Sequence, residues 1–290
     1  MPVKLSDNYD LSKYVIILTG ATDGIGKEMA KFLFGFNPKR LIIPARNKEK
    51  GNKLLEYLKS SKGHTDNVEV WEMDLADLQS VKNFANKFIN EVGELHMLIN
   101  NAGIETKRQI LKTKDNLELQ FQVNHLSHFL LTILLLDTMK NHSRANNFGE
   151  IDFDNLNLEK GAYWNPLKGY ANTKLMNIII CKELSRMLQN DHITTYSHNP
   201  GVILTNISHL NTGFSISTLT INTLARLFGI TAEQGATNVL YPALSLENKE
   251  TGKYYDEGIE QEPNKVAYDE EIAKKLWSVS EQILKEHGMI

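Results

Sequence analysis

The chain has 290 residues and a formal net charge of −3, so it lacks the basic excess of a nucleic-acid-binding protein. Its hydrophobic share of 41% and charged share of 23% are those of an ordinary globular protein, and its length suits one sheet covered by helices on both faces. A single cysteine excludes an internal disulfide and fits a reducing compartment.

The sequence carries no signature of export or membrane insertion. The first ten residues lack the apolar stretch of a signal peptide. The longest strongly apolar run, 129–136, contains Thr132 and is far shorter than the roughly 20 residues that span a bilayer. We therefore expect a cytoplasmic protein without a transmembrane segment.

Short β-branched runs alternate with longer amphipathic stretches, which predicts βαβ units and a parallel sheet. The predicted strands are 14–19, 40–44, 68–71, 95–99, 193–197 and 253–255, and the predicted helices are 25–35, 48–59, 80–91, 117–140, 168–188 and 269–286. No linker or repeat interrupts this pattern. The sequence therefore predicts a doubly wound α/β fold with one domain over residues 1–290.

Three glycines, Gly20, Gly24 and Gly26, lie between the first strand and the first helix. Without side chains in this turn, backbone N–H groups can approach a pyrophosphate, and the N-terminus of the helix favours the negative charge. A glycine-rich loop without a ligand is the alternative. The strand–turn–helix context favours a Rossmann-type dinucleotide site.

The end of the second strand indicates which dinucleotide is bound. An NAD site needs a carboxylate there for the ribose 2′-hydroxyl, but this chain has Arg46, whose planar cation suits a 2′-phosphate. Lys48 or Lys50 could assist. Unless Arg46 is only a solvated loop residue, the pattern predicts NADP(H).

A tyrosine and a lysine with helical spacing, Tyr170 and Lys174, are the candidate acid/base pair. Residues i and i+4 share a helix face, and an ammonium beside a phenol stabilises the phenolate. Tyr9 and Lys13 have the same spacing but precede the first strand. We therefore predict that Tyr170 is the proton donor.

His125 and His128 also share a helix face. With no third ligand placed nearby, they are predicted to be ordinary residues of a helix surface, and no metal site is expected.

Four further segments follow the predicted elements in order: Asp74-Leu75, Asn100-Asn-Ala-Gly103, Gln122-Val-Asn-His-Leu126 and Asn199-Pro-Gly-Val-Ile-Leu-Thr205. With the glycine loop and the Tyr–Lys pair, they resemble the motifs of the short-chain dehydrogenase/reductase family across nearly the whole chain. Segments 233–236, 251–255 and 276–280 are similar to its retinol-dehydrogenase-like branch.

The resemblance implies a role for each matching residue. Lys174 would contact the cofactor ribose, Asn124 would hold a proton-relay water, and Ser143 would hydrogen-bond the substrate carbonyl. The implied cofactor-binding residues are Gly20, Thr22, Asp23, Gly24, Ile25, Gly26, Arg46, Asp74, Leu75, Asn101, Ala102, Gly103, Tyr170, Lys174, Pro200, Gly201, Val202 and Thr205.

The chain departs from the family pattern before the catalytic helix. The resemblance implies the strand order 3-2-1-4-5-6-7, but no apolar run precedes Ser143 where the fifth strand belongs. The best substitute, 149–153, alternates acidic and apolar residues and could not be buried on both faces. We predict a missing or irregular fifth strand, with Ser143 displaced from Tyr170.

These observations together predict an NADP(H)-dependent oxidoreductase that interconverts an alcohol and a carbonyl. An apolar segment at about 206–230 is expected to form a lid over a lipophilic small-molecule substrate. The alternative is a catalytically impaired nucleotide-binding protein with a regulatory or vestigial role. The sequence leaves the oligomeric state open, a homo-oligomer included.

Overall fold

The first strand, β1 (Val15–Leu18), is buried along its whole length at the centre of a parallel sheet. Val15 and Ile17 belong to one apolar cluster, whereas Ile16 and Leu18 belong to another. Because side chains alternate across a strand, a continuous apolar run fits only between two covered faces. This confirms the doubly wound α/β prediction.

A computed structural model describes residues 2–6, 9–62, 65–106, 110–139, 156, 166–201, 229–245 and 250–290. The strands are β1, β2 (Arg40–Ala45), β3 (Val68–Glu72), β4 (Met97–Ile99), β5 (Tyr196–Asn199), β6 (Lys253–Asp256) and β7 (Ile259–Gln261). The helices are α1 (Gly24–Gly35), α2 (Lys48–Lys62), α3 (Leu78–Glu91), α4 (Leu119–Met139), α5 (Pro166–Met187), α6 (Ala232–Leu244) and α7 (Glu270–Glu286), with a 3-10 turn at Lys265–Tyr268.

The helices cover the two faces of the sheet in separate groups. On one face α1 packs against α6, and α2 completes the apolar cluster that contains Ile16 and Leu18. On the other face α3 packs against α4 and α5 packs against α7, around the cluster that contains Val15 and Ile17. The central strand is thereby shielded from water on both sides.

The described strands form two sheets. The first has the order β3-β2-β1-β4 with all pairs parallel, as predicted. In the second, β5 pairs in parallel with β6, which pairs antiparallel with β7. Among the described residues no strand joins β4 to β5. Residues 140–155, in which Ser143 and the predicted fifth-strand gap fall, lie outside the described residues, so that prediction stays a prediction.

Helix α4 contains a π-helical turn at Gln122–Leu126, and its first turn begins after Glu118, whose carboxylate accepts from Phe121 N. By length and composition alone α4 could cross a membrane, but 78% of its most apolar window is buried inside the protein. Packing against α3 accounts for its apolar character equally well. The expectation of no transmembrane segment therefore stays a prediction.

Two elements were not anticipated, and one was shifted. Helix α6 has Gly235 within it and Pro242 in its last turn, which obscure its helical pattern. The three residues of β7 are all exposed and carry no apolar signal. The predicted strand 193–197 lies instead at Tyr196–Asn199, so its C-terminal end leads directly into Pro200.

Candidate active site

The loop between β1 and α1 is shaped by glycine. Gly20 has a φ of +69°, and a Cβ there would lie 2.7 Å from the Cα of Ala102. A Cβ on Gly26 would lie 2.1 Å from the carbonyl oxygen of Gly20. Side chains are therefore excluded at both positions, and the backbone forms the tight cradle that a pyrophosphate requires.

The loop that follows β4 is bonded to the glycine loop. Asn101 donates from its side chain to the carbonyl oxygens of Thr19, at 2.9 Å, and Gly20, at 3.3 Å. The Thr19 hydroxyl accepts from the backbone N–H groups of Asn101 and Ala102 at 2.9 and 3.0 Å. The two implied cofactor-binding segments thus form one rigid surface at the carboxyl ends of β1 and β4.

Asp23 caps α1, and its carboxylate accepts from Gly24 N at 2.8 Å. This bond uses one of the N–H groups that a phosphate would otherwise find at the helix N-terminus. Thr22 and Ile25, on either side of this pair, are half-buried.

Arg46 lies just beyond β2 with an exposed side chain. Among the described residues its guanidinium makes no hydrogen bond or ion pair. The next residue, Asn47, accepts from Lys50 N at 2.9 Å and so starts α2. The start of α2 is therefore fixed without Arg46, which leaves the guanidinium available for an anion.

The acid–apolar pair beyond β3 is also held in place. Asp74 accepts from Ala76 N at 2.9 Å and donates through its own N–H to the Ser80 hydroxyl at 3.0 Å. Leu75 is buried, and its carbonyl oxygen accepts from the Ser127 hydroxyl of α4 at 2.6 Å. The pair lies at the same sheet edge as the glycine loop, because β3 and β1 both run parallel to β2.

The candidate acid/base pair lies on one face of α5. Lys174 Nζ is 5.2 Å from the centroid of the Tyr170 ring. The same Nζ lies 3.4 Å from where a Cβ on Gly103 would be, and Asn124 Oδ1 lies 3.6 Å from that point. The structure therefore brings Lys174 and Asn124 together at Gly103, at the carboxyl end of β4, with Tyr170 beside Lys174.

Asn124 ties the β4 loop to α5. Its side-chain amide accepts from Ile104 N at 2.8 Å and donates to Ile104 O at 2.9 Å. It also donates to the Thr173 hydroxyl at 3.2 Å, next to Lys174 in the chain. Asn124 is 1% exposed, so these contacts hold it in a single orientation.

The turn after β5 is held by the second sheet and by α6. Gly201 has a φ of +99°, and a Cβ there would lie 2.9 Å from Glu257 Oε1. Pro200 O accepts from Asn238 of α6 at 3.1 Å, and Asn199 donates to Asp256 at 2.8 Å. Val202, Thr205 and all of the predicted lid at about 206–230 except its last two residues lie outside the described residues.

The prediction for His125 and His128 was wrong, because both are buried rather than on a helix surface. His128 Nε2 lies 3.0 Å from the Thr19 hydroxyl, and His125 Nδ1 lies 2.9 Å from Asn177 Oδ1. The sequence contained a signal for burial, since the second half of α4, Ser127–Met139, is strongly apolar and has no distinct polar face. Where the structure describes the chain, no cluster of three metal-ligating residues occurs.

Residues 14–212 match the family described as short chain dehydrogenase. The chain belongs to this family. It is an oxidoreductase of the retinol-dehydrogenase-like branch, and its family acts on alcohols and carbonyls with a nicotinamide cofactor. The glycine cradle and the bonded loops described above fit such a cofactor.

Several relatives support the branch. Human retinol dehydrogenase 13 is 37% identical over 93% of this chain and 84% of its own length. Human retinol dehydrogenase 11 is 36% identical over 93% of this chain and 85% of its own length. The WW domain-containing oxidoreductase of Gallus gallus is 36% identical, covering 96% of this chain but 69% of its own length.

Solved structures share the fold. A putative uncharacterized protein from Mycobacterium Paratuberculosis has a TM-score of 0.75 and 28% identity, covering 98% of both chains. An NADPH-bound carbonyl reductase from chicken fatty liver has a TM-score of 0.61 and 20% identity, covering 85% of this chain and 97% of its own. At that identity the second likeness concerns the fold alone.

We predict that the protein loses stability as the pH falls below about 6.5. Burial lowers the pKa of His125 and His128 to about 4 and that of His198 to about 3. Between these values and the unfolded pKa of about 6.5, the unfolded chain binds protons that the folded chain excludes. Each histidine should therefore remove up to roughly 1.4 kcal/mol of unfolding free energy per pH unit.

Urea unfolding between pH 7.5 and 4.5 measures this slope. The His198→Phe variant keeps a ring to stack on Tyr255 but takes up no proton, so its slope should be smaller than the parent's. An unfolding free energy that stays constant or rises as the pH falls to 5 would contradict the prediction.

Proposed function

We propose that the chain is an NADP(H)-dependent oxidoreductase that interconverts an alcohol and a carbonyl on a lipophilic small molecule. The observation that carries the proposal is that Lys174 and Asn124 converge on Gly103, beside the glycine loop, with the Tyr170 ring next to Lys174. The candidate proton donor, Tyr170, is thus next to a lysine that reaches the surface on which a nicotinamide nucleotide would be bound. This is the arrangement that carbonyl reduction requires.

The bound cofactor would supply the hydride, and the chain's own residues would handle the proton. In the reducing direction Tyr170 would give its phenolic proton to the substrate oxygen while the carbonyl carbon receives the hydride. Lys174, on the same helix face with its Nζ 5.2 Å from the centroid of the Tyr170 ring, would stabilise the phenolate that remains. Asn124 would orient a water that returns a proton to Tyr170.

Arg46 supports NADP(H) over NAD(H). It is an exposed cation at the position where an NAD site needs a carboxylate, and it has no partner among the described residues. A guanidinium binds a phosphate with two parallel hydrogen bonds.

A lipophilic substrate is supported by the names of the relatives and by the apolar composition of about 206–230. An apolar aldehyde such as retinaldehyde is therefore the first substrate to test.

The second candidate is a nucleotide-binding protein with little or no turnover. The observation that favours it is in the sequence, where no apolar run precedes Ser143 at the position of the family's fifth strand. A displacement of about 1 Å between the two halves of the site would lower the rate about 100-fold.

The Arg46→Ala variant tests the cofactor. It should bind NADPH roughly 10- to 100-fold more weakly, because a charge-assisted contact with the 2′-phosphate contributes about 1.5–3 kcal/mol. Its NADH affinity should not change. Titration of intrinsic fluorescence with each cofactor measures both affinities.

Lys285→Ala is the matched control, since it removes the same charge from an exposed position on α7. It should leave the NADPH affinity as in the parent. Equal affinity of the parent for NADPH and NADH would refute the cofactor proposal.

The Tyr170→Phe variant tests the acid/base role. Carbonyl reduction should fall by about 10²- to 10⁴-fold, since the ring remains but the transferable proton is lost. NADPH affinity should stay within about twofold of the parent. Steady-state rates with retinaldehyde and the same fluorescence titration give the two values.

Tyr9→Phe is the control for this change, because Tyr9 packs edge-on against Phe36 before β1, away from the site. It should keep the parent's rate. A Tyr170→Phe protein that is as active as its parent would show that another group donates the proton.

A further inference from the structure

His125 and His128 lie one turn apart in α4, within or just after its π-helical turn, and both rings are completely enclosed. The pKa of each is lowered to about 4, mainly by burial, and the charge of Lys174 contributes to the lowering for His128. Both rings are therefore neutral at physiological pH. A neutral imidazole has one donor and one acceptor nitrogen, and its neighbours decide which is which.

The neighbours of His128 place its proton on Nδ1. The Thr19 hydroxyl oxygen already accepts two backbone N–H groups, those of Asn101 and Ala102, which occupy both of its lone pairs. Thr19 therefore donates to His128 Nε2 at 3.0 Å, a shorter contact than the 3.3 Å to Ile99 O. The remaining nitrogen, Nδ1–H, points to the carbonyl oxygen of Asn124 at 3.3 Å.

The neighbours of His125 lead to the same tautomer. Asn177 donates from Nδ2 to the Asn124 carbonyl oxygen at 2.8 Å, so its Oδ1 is the acceptor that faces His125 Nδ1 at 2.9 Å. His125 Nδ1 therefore carries the proton. Its Nε2 accepts from the Ser280 hydroxyl of α7 at 3.1 Å.

The two chains of hydrogen bonds converge on one atom, the carbonyl oxygen of Asn124. One runs from Ser280 through His125 and Asn177, and the other runs from Thr19 through His128. Every donor in both chains points toward Asn124. The π-helical turn that contains Asn124 is thus held from α5 and α7 on one side and from the glycine loop on the other.

We propose that His125 and His128 are positioning residues of the active site, which as neutral Nδ1–H tautomers hold the Asn124 carbonyl and so set the orientation of its side chain. The inference rests on the proposed oxidoreductase function and extends it to two residues that do not touch the reacting atoms. The Asn124 side chain in turn bonds Ile104 and Thr173, the neighbours of Gly103 and Lys174 in the chain. Loss of either histidine would therefore move the contacts around Lys174.

Two pairs of variants test the proposal. His125→Leu and His128→Leu remove both ring nitrogens, and we expect kcat with retinaldehyde and NADPH to fall about 100-fold with little change in KM. His125→Asn and His128→Asn keep an N–H donor near the position of Nδ1. These should recover kcat to within about tenfold of the parent, although they lose the contacts to Ser280 and Thr19.

A merely structural role predicts a different result, in which kcat follows the melting temperature whichever residue is introduced. The parent protein provides a readout that needs neither turnover nor a variant. Imidazole ¹⁵N chemical shifts should show Nδ1 protonated and Nε2 unprotonated for both histidines at pH 7. A protonated Nε2 on either ring would overturn the assignment even if the leucine variants fail to fold.

The failure of the proposed function is distinguishable from the failure of this inference. A parent that binds NADPH but reduces no carbonyl refutes the proposed function. In that case the side-chain amide NMR signal of Asn124 decides the positioning role. The signal should shift in each leucine variant and stay near the parent's in each asparagine variant, and a signal that shifts in neither would overturn the proposal.

Discussion

The hydroxyl of Thr19 lies where the carboxyl ends of β1 and β4 meet, and it is completely removed from water. It accepts the backbone N–H groups of Asn101 and Ala102 in the turn after β4, and Asn101 N also donates to Ile99 O at 3.1 Å. One side chain thus bonds two successive backbone groups of this turn. The glycine loop and the β4 loop consequently move as one body.

That junction accounts for the placement of the candidate active-site residues. Gly103 follows the bonded segment directly, and Lys174 and Asn124 approach it from α5 and α4. Gly26 lies so close to Gly20 that no side chain fits between them, which fixes the first turn of α1 against the glycine loop. The Thr19 hydroxyl, the two glycines and Asn124 therefore fix the surface on which we propose that the nucleotide and the acid/base pair meet.

Much of this arrangement was predictable because it rests on local patterns. The buried run of β1 and the alternation of elements predicted the parallel sheet, and the spacing of Tyr170 and Lys174 predicted their shared face. His125 and His128 were predicted to lie on a helix surface because they are polar. They are buried instead, and each bonds a partner, Asn177 and Thr19, that lies 52 and 109 residues away in the chain. Hydrogen bonds between residues so far apart produce no periodic pattern in the sequence. Strand β7 also has no such pattern, because all three of its residues are exposed.

The most direct measurement of the central claim follows a labelled hydrogen. The protein is incubated with retinaldehyde and NADPH carrying deuterium at both C4 positions of the nicotinamide, and the product is analysed by mass spectrometry and NMR. Our account predicts retinol with one deuterium on the carbinol carbon. Retinol without deuterium, or no retinol in a protein that binds NADPH, would contradict it.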